Sequence, residues 1–210
     1  MTHDLPHSVT AGSAFWRTVF GRDAPVEIEI GSGDGAFLTT RAAAFPARSL
    51  LGLERSPAKA RRLAERIAKR PLPNVRALQA DARCLIATVI PPASVAAYHV
   101  YFPDPWPKRA HATRRLFAAA FASDLVRTLE PEGRLFFATD VADYATVTRA
   151  HLLATEGLRE IAVGDDHPGL TTSFARKYRA RGRALYAFTF VRADRASDAQ
   201  LLAASKMRSM

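Results

Sequence analysis

The sequence has little of several features that define whole classes of protein. Cys84 is the single cysteine among the 210 residues, which excludes a disulfide framework and a cysteine-rich zinc site. We expect it to pack as a small apolar residue. No apolar run approaches the ~20 residues that a membrane-spanning helix needs, and residues 1–6 lack the apolar core of a signal peptide. These absences lead us to expect a cytoplasmic protein with no membrane partner.

Acidic residues are also scarce relative to basic ones. The chain has 20 Asp and Glu residues against 30 Lys and Arg residues, a formal net charge of +10. This balance favours a polyanionic partner, most commonly a nucleic acid, although an arginine-rich proteome would give the same composition. Hydrophobic residues make up 48% of the chain, which argues against disorder of the whole chain and indicates one domain with a sizeable core.

The order of the apolar patterns predicts an α/β protein in which strands and helices alternate. Five strands are each followed by a helical pattern, and two further strands come near the C-terminus. The predicted strands are Val26–Ile30, Ser49–Glu54, 74–79, 94–102, 134–139, 158–163 and 184–192, with a turn at 130–133. The predicted helices are 36–45, Pro57–Lys69, 82–90, one that ends near 129, and 141–154. We expect a lead-in of residues 1–24 whose aromatic side chains pack on the domain, a single domain of residues 25–193 and a tail of residues 194–210.

A glycine-rich turn follows the first predicted strand and comes directly before the first predicted helix. It reads Gly31-Ser32-Gly33-Asp34-Gly35, and Glu29 lies two residues before it. The spacing differs from the Gly-x-Gly-x-x-Gly fingerprint of dinucleotide sites. Carboxylates so close together would repel a pyrophosphate, but they suit a ligand with a cationic end and hydroxyl groups, such as S-adenosylmethionine. The alternative is an ordinary strand-to-helix turn of an α/β enzyme.

Acidic residues follow four of the later predicted strands, where open α/β sheets place their chemistry. Glu54 could accept hydrogen bonds from ribose hydroxyls, or could be a surface acid. Asp81 could accept from an adenine amino group or cap a helix. Asp104 is held between Pro103 and Pro105, whose φ angles are fixed, and the alternative is a structural turn. Asp140 could cap the next helix, face the site, or do both.

Basic residues lie directly beside this predicted site, where they could bind phosphates. One group follows the proline segment, and another falls in residues 171–183. The first group comprises Lys108, Arg109, His111, Arg114 and Arg115.

Three segments give the sequence a family resemblance. Glu29 to Gly35 looks like the cofactor loop of the class I S-adenosylmethionine-dependent methyltransferases. Phe102-Pro103-Asp104-Pro105-Trp106-x-Lys108, with Arg114-Arg115 beyond, resembles the bacterial tRNA (guanine-N7-)-methyltransferases specifically. Their C-terminal signature is similar to Thr172-x-Phe174 with Lys177, Gly182, Leu185 and Tyr186, and Ala138-Thr139-Asp140 also fits. The match spans roughly residues 15–192.

The resemblance implies a Rossmann-like class I methyltransferase fold: a mostly parallel seven-stranded sheet with helices on both faces and an antiparallel C-terminal strand. It implies transfer of a methyl group from S-adenosylmethionine to N7 of a variable-loop guanosine of tRNA, at position 46. The oligomeric state stays open between monomer and homodimer. The residues that match cofactor-binding positions are Glu29, Gly31, Gly33, Glu54, Asp81 and Ala82. Asp104 matches the catalytic residue, and no metal is implied. The residues that match substrate-binding positions are Lys108, Asp140, Thr172, Ser173, Phe174 and Ala175.

The sequence departs from the family pattern at positions that concern the substrate. A glutamate is usual where Ala175 stands, and the basic segment has Ala110 and Thr113 at positions that are commonly basic. Two alternatives therefore stay open: a methyltransferase of the same family with a changed substrate, and a non-catalytic RNA-binding relative. A nicotinamide dehydrogenase fits worst because the glycine spacing differs.

Overall fold

The computed structural model describes residues 12–70, 72–105, 116–117, 119–164 and 166–193. Seven strands of this part form one sheet in the order β3-β2-β1-β4-β5-β7-β6. They are β1 (Val26–Ile30), β2 (Ser49–Glu54), β3 (Val75–Gln79), β4 (Val95–Tyr101), β5 (Leu129–Thr139), β6 (Leu158–Ile161) and β7 (Tyr186–Arg192). The first five strands run parallel to one another, whereas β7 runs antiparallel to both β5 and β6. The predicted Rossmann-like class I methyltransferase fold is confirmed.

Seven α-helices are described, and they pack on both faces of the sheet. They are α1 (Gly12–Phe20), α2 (Ala36–Ala44), α3 (Pro57–Lys69), α4 (Ala82–Thr88), α5 (Ala119–Thr128), α6 (Ala142–Leu153) and α7 (Ser173–Arg179), with a 3-10 turn at Pro168–Thr171. The bounds of β1, β2 and α3 are those predicted. The other predicted helices and strands are present, and most of their ends differ by one or two residues. Among the described residues, no helix is both long and apolar enough to cross a membrane.

The start of β5 differs from the prediction, which placed a turn at 130–133 before the strand. The strand begins at Leu129, which pairs with Val95 of β4, and the next pair joins Arg134 with Ala97. Five residues along β5 thus oppose two along β4, so the predicted turn is an irregularity within the strand. Glu132 has a φ of 61° there, a left-handed conformation that is uncommon for residues other than glycine.

The larger part of the core lies under α1, α4, α5 and α6. Ile28, Tyr98 and Phe137 of neighbouring strands point to this face and are fully buried. The aromatic residues of α1 are also buried, as predicted, and the Trp16 indole N–H donates to the Ser94 carbonyl over 2.7 Å. Burial of each such side chain contributes roughly 1.5–3 kcal/mol, so α1 packs stably against the sheet.

The opposite face has a smaller apolar cluster under α2 and α3. Leu38 of α2 and Leu63 of α3 pack there on Leu50 and Val75. The rest of this face, over β1, β4 and β5, carries polar and aromatic side chains instead. Cys84 is exposed on α4, so the prediction that it packs as an apolar residue was wrong. The buried residues of this helix are Ala82 and Ile86.

Candidate functional site

The glycine turn forms a tight loop at the C-terminal end of β1. Gly31, Gly33 and Gly35 have φ angles of 77°, 57° and 76°, values that L-residues with a side chain rarely adopt. The backbone N–H groups of Gly31 and Ser32 both donate to the Leu53 carbonyl, over 2.8 and 3.1 Å. The loop is thereby fastened to the end of β2. At Gly35 a Cβ would also lie 2.2 Å from Leu63 Cδ1, so packing as well as backbone conformation requires glycine there.

Glu54, at the end of β2, connects this loop to the turn that precedes α3. One carboxylate oxygen accepts the Gly33 N–H over 2.9 Å, and the other accepts the Ser56 N–H over 2.8 Å. Each oxygen keeps a further lone pair, and the carboxylate lines a cavity described below. Glu54 therefore has both the position and the remaining acceptor capacity to bind the hydroxyl groups of a ribose.

Glu29 is a buried carboxylate with an unsatisfied oxygen. Its residue is 6% exposed, and its Oε2 has no hydrogen-bond partner among the described residues. Burial raises its pKa well above the usual range, and the negative charges of Asp34 and Glu54 raise the pKa further. A buried acid of this kind is stabilised in its ionised form by a cation. This orphaned oxygen beside the glycine loop fits the ammonium group of the predicted cofactor.

A cavity of about 190 Å³ at the strand ends brings together most of the predicted cofactor residues; we call it the strand-end cavity. Gly31, Glu54, Asp81 and Ala82 line it, and so does the predicted catalytic Asp104. Gly33 contributes through its bond to Glu54. Glu29 is on β1, two residues before Gly31, and is not part of the described lining. These residues come from the ends of four strands, so the topology of the sheet gathers them at one place.

Asp81 caps a helix, one of the two alternatives that the sequence left open, and it also lines the strand-end cavity. Its carboxylate caps α4 by accepting the Arg83 N–H over 2.9 Å. It is also part of the wall of the strand-end cavity. A carboxylate has four lone-pair positions, so capping leaves acceptors for a ligand.

Asp104 follows a strained segment of backbone at the end of β4. Phe102 has a φ of 49°, and its N–H donates to the Ala138 carbonyl of the next strand over 2.7 Å. A residue with a side chain is costly in this conformation, by about 1–3 kcal/mol, and such strain concentrates at functional sites. The consequence is that Pro103 and the exposed Asp104 turn out of the sheet beside the strand-end cavity.

Phe102, two residues before Asp104, packs with two further aromatic rings. We call these three rings the aromatic platform: Phe102, Phe174 and Tyr178. Their centroids are 5.4–6.2 Å apart, and the Phe174 residue is 49% exposed. The Arg183 guanidinium lies 5.2 Å from the Tyr178 ring centroid. An exposed aromatic surface with a cation beside it is a typical stacking site for a nucleobase. Sequence reasoning selected Phe174 but missed Phe102 and Tyr178 as its partners.

The predicted substrate residues around α7 have different exposures. Thr172 is buried and caps α7: its hydroxyl accepts the Ala175 N–H over 3.1 Å and donates to the Gly169 carbonyl over 3.0 Å. Ser173 is exposed, like Phe174, whereas Ala175 is fully buried. The accessible groups of this segment are therefore the side chains of Ser173 and Phe174.

Asp140 is at the end of β5, but it does not cap α6. The N-cap of α6 is Val141, and the Val141 N–H donates to the Thr139 hydroxyl over 3.3 Å. The Asp140 carboxylate instead forms an ion pair with Arg183, which also contacts the aromatic platform. The capping alternative was wrong, because α6 begins at Ala142 and its N-cap position is Val141, one residue after Asp140. Lys108 lies outside the described residues.

A buried polar network beneath α2 was not found from the sequence. Glu27 is fully buried and forms ion pairs with Arg41 and Arg48. Although burial opposes ionisation, the hydrogen bonds from His99 and Arg41 and the charge of Arg41 lower its pKa far below the usual value. Burial lowers the pKa of His99, whose neutral ring donates from Nε2 to Glu27 over 2.8 Å and accepts at Nδ1 from the Tyr101 hydroxyl over 2.6 Å. The network thus fixes the orientation of Tyr101, which lines the strand-end cavity. The alternating acids of β1 were its one visible signal.

Comparison with solved structures identifies the fold. The 16S rRNA methyltransferase KamB matches with a TM-score of 0.63 at 16% identity, over 89% of this chain and 96% of that one. A variant of the 16S rRNA (adenine(1408)-N(1))-methyltransferase from Catenulisporales acidiphilia, solved with cosubstrate SAM, gives 0.59 at 17% identity, over 90% of this chain and 94% of that one. At these identities the likeness establishes a class I methyltransferase fold.

Comparison of sequences identifies the family. A family model described as "Putative methyltransferase" matches residues 23–187. The tRNA (guanine-N(7)-)-methyltransferase of Syntrophotalea carbinolica is 35% identical over 180 residues, which cover 84% of this chain and 78% of that protein. The enzyme of the same name from Geobacter metallireducens is 33% identical over 178 residues, covering 82% of this chain and 84% of that protein. The chain therefore belongs to the family of bacterial tRNA (guanine-N7-)-methyltransferases.

Proposed function

We propose that the protein transfers the methyl group of S-adenosylmethionine to N7 of a guanosine in the variable loop of tRNA, at position 46. Residues 25–193 form the catalytic domain of this proposal. The observation that carries it is the strand-end cavity, which Asp104 lines together with Gly31, Glu54 and Asp81. The exposed aromatic platform and the net charge of +10 support an RNA acceptor.

The cofactor is proposed to lie across the glycine loop. Glu54 accepts the ribose hydroxyls, and Asp81 and Ala82 form the wall against the adenine. The carboxylate of Glu29, otherwise unsatisfied, accepts from the ammonium group. When bound, S-adenosylmethionine supplies an electrophilic methyl group on a sulfonium.

The acceptor chemistry needs positioning more than proton transfer. Guanine N7 has a lone pair in the ring plane and no proton, so no general base has to act first. Its lone pair forms the new C–N bond as the C–S bond breaks, and the ring gains positive charge. Asp104 accepts hydrogen bonds from the guanine N–H donors or stabilises that charge, and both roles require the fixed position its backbone provides.

The proposal is tested with labelled S-adenosylmethionine and unmodified tRNA transcripts. Label should appear at one variable-loop guanosine, mapped by chain cleavage selective for N7-methylguanosine. Asp104→Ala and the isosteric Asp104→Asn should lose transfer at saturating cofactor. Cofactor affinity, measured separately by calorimetry, should be retained. An active Asp104→Ala enzyme would remove the role of this residue, and wild-type protein that binds cofactor without labelling tRNA would refute the function.

Ala175 favours a second candidate, the same transfer to a different acceptor. The family usually has a glutamate at this position, which could bind the edge of guanine. Alanine has no such group, and Ala175 is fully buried, so Ser173 and Phe174 would have to supply the contacts. Binding of cofactor with labelling of another RNA, and none of tRNA, would support this candidate.

A further inference from the structure

A groove on the sheet face lies apart from the strand-end cavity. It has a volume of about 480 Å³ and runs between α2 and the segment from Ile161 to Ser173. Arg134 and Phe136 of β5, with Thr189 of β7, form its floor. We call it the sheet-face groove. Its upper end reaches Thr172 and Ser173, two of the predicted substrate residues.

The floor of the groove is too far from the strand ends to hold the methylated base. Arg134 is five residues before Thr139, the last residue of β5. At ~3.3 Å per residue this is roughly 16 Å below the edge of the sheet. Asp104 and the strand-end cavity lie at that edge. A ligand on the floor is therefore a different group from the methyl acceptor, although both can belong to one polymer.

The groove is positively charged. Arg41, Arg134 and Arg176 line it, and Asp166 is the single acidic residue among its described lining. The buried Glu27 forms ion pairs with Arg41 and Arg48. The charge of Arg41 is therefore largely balanced, and the positive charge of the groove comes mainly from Arg134 and Arg176. The exposed Arg134 guanidinium has no hydrogen-bond or ion-pair partner among the described residues, and Arg176 donates from one nitrogen to a backbone carbonyl, which leaves further N–H donors. An anionic ligand such as a phosphate fits these charges.

The groove is also aromatic. Phe37, Phe136 and His167 line it, together with Phe45, which is 42% exposed at the end of α2. The Arg41 guanidinium lies 4.5 Å from the Phe45 ring centroid. Exposed rings and guanidinium planes are the surfaces on which unpaired bases stack. A nucleotide has both a flat ring and an anionic phosphate, so it fits the aromatic and the positively charged residues of the groove.

We propose that the sheet-face groove binds a second, unpaired nucleotide of the RNA substrate, with its phosphate at Arg134 and its base near Phe45. The proposal rests on the proposed function, because a tRNA loop that supplies the methyl acceptor also supplies unpaired neighbours. This second nucleotide gives the enzyme another contact with the RNA, so that binding depends on the geometry of the loop and not on the guanine alone.

The direct test is binding of cytidine 5′-monophosphate at saturating S-adenosylhomocysteine, since this pyrimidine does not match the proposed adenine or guanine positions. Calorimetry should detect binding to the wild type. Arg134→Ala and Phe45→Ala should each weaken it about tenfold, the usual loss for a charge-assisted bond or a stacked base. Arg62→Ala, which removes an exposed arginine of α3, is the matched control and should bind like the wild type.

The second readout is methyl transfer to tRNA. Arg134→Ala and Phe45→Ala should raise KM for tRNA about tenfold and leave kcat unchanged, while Arg62→Ala changes neither. Thermal unfolding checks that every variant is folded. Absent binding of the monophosphate, or equal binding by wild type and Arg134→Ala, would overturn the proposal. Arg134-dependent binding by an enzyme that fails to methylate tRNA would instead refute the proposed function and leave the nucleotide site standing.

Discussion

Replacing Glu29 with Gln should stabilise the free protein and weaken cofactor binding at the same time. The substitution keeps the shape of the side chain and removes an ionisable group that is buried without a partner for Oε2. Burial raises the pKa of Glu29 well above 4.5, so its folded form holds a proton that the unfolded chain releases. This contribution to stability is complete below the unfolded pKa and is lost as pH rises through the folded pKa. The side chain of Glu29→Gln does not titrate, so this position no longer lowers stability as pH rises.

The cofactor effect has the opposite sign. An ionised Glu29 that accepts from an ammonium group makes a charge-assisted bond, which contributes ~1.5–3 kcal/mol, or roughly a 10- to 150-fold loss of affinity on substitution. Because binding favours the ionised form, the wild type should release protons on binding at pH values below the raised pKa. Its affinity should rise with pH across the same window, and the affinity of Glu29→Gln should not.

Calorimetry of S-adenosylmethionine binding in buffers of different ionisation enthalpy measures affinity and proton release together. Urea unfolding of the free proteins measures the stability change. Loss of stability with unchanged affinity would show that Glu29 has a purely structural role and would refute this reasoning. Asp34→Asn is a useful comparison: Asp34 is exposed and paired with Arg66 over 2.5 Å, so its removal should have a smaller effect on affinity.

Three further predictions concern the loop, the aromatic platform and the buried network. Gly35→Ala should lower the free energy of unfolding in urea by ~2–4 kcal/mol, because its Cβ meets Leu63 and its φ is 76°. Gly31→Ala should lower it less, because a Cβ there has nothing within 4 Å. Equal losses for the two variants would contradict the packing argument. Phe174→Ala should raise KM for tRNA ~5- to 150-fold through lost stacking, whereas Phe174→Trp should retain binding; equal KM values for all three proteins would exclude stacking there. Burial lowers the pKa of His99 below its unfolded 6.5, so stability should fall as pH drops below about 6.5; a urea midpoint whose pH dependence is the same in His99→Gln would contradict this.

Much of the fold could be predicted because its signals are local. The run Val26–Ile30 into the glycine turn, and Pro57 at the first turn of α3, fix the ends of these elements within the sequence itself. The error at β5 had a different origin: Glu130, Pro131 and Gly133 are turn residues, and the neighbouring strand accommodates them as an irregularity. A run of turn-forming residues therefore does not distinguish an interrupted strand from a continuous strand with a bulge.

The sequence could predict that acids at the ends of neighbouring strands lie close together, but it could not predict contacts between residues that are distant in the chain. Glu27 and His99 are 72 residues apart, and their contact depends on the parallel pairing of β1 with β4. The sheet-face groove depends likewise on which helices cover which part of the sheet. The capping prediction for Asp140 failed by one residue, which is the ordinary precision of a helix boundary.

The position of β7 has a consequence for synthesis of the protein. β7, the last strand of the described residues, lies between β5 and β6, so neither can complete its pairing until residues 186–192 have left the ribosome. Until then β5 exposes an open edge, and β6 has no neighbour in the sheet. Such edges are templates for association with other chains. Complete pairing of β5 and β6 thus requires β7, and truncation before Tyr186 should lead to aggregation rather than to a smaller, working domain.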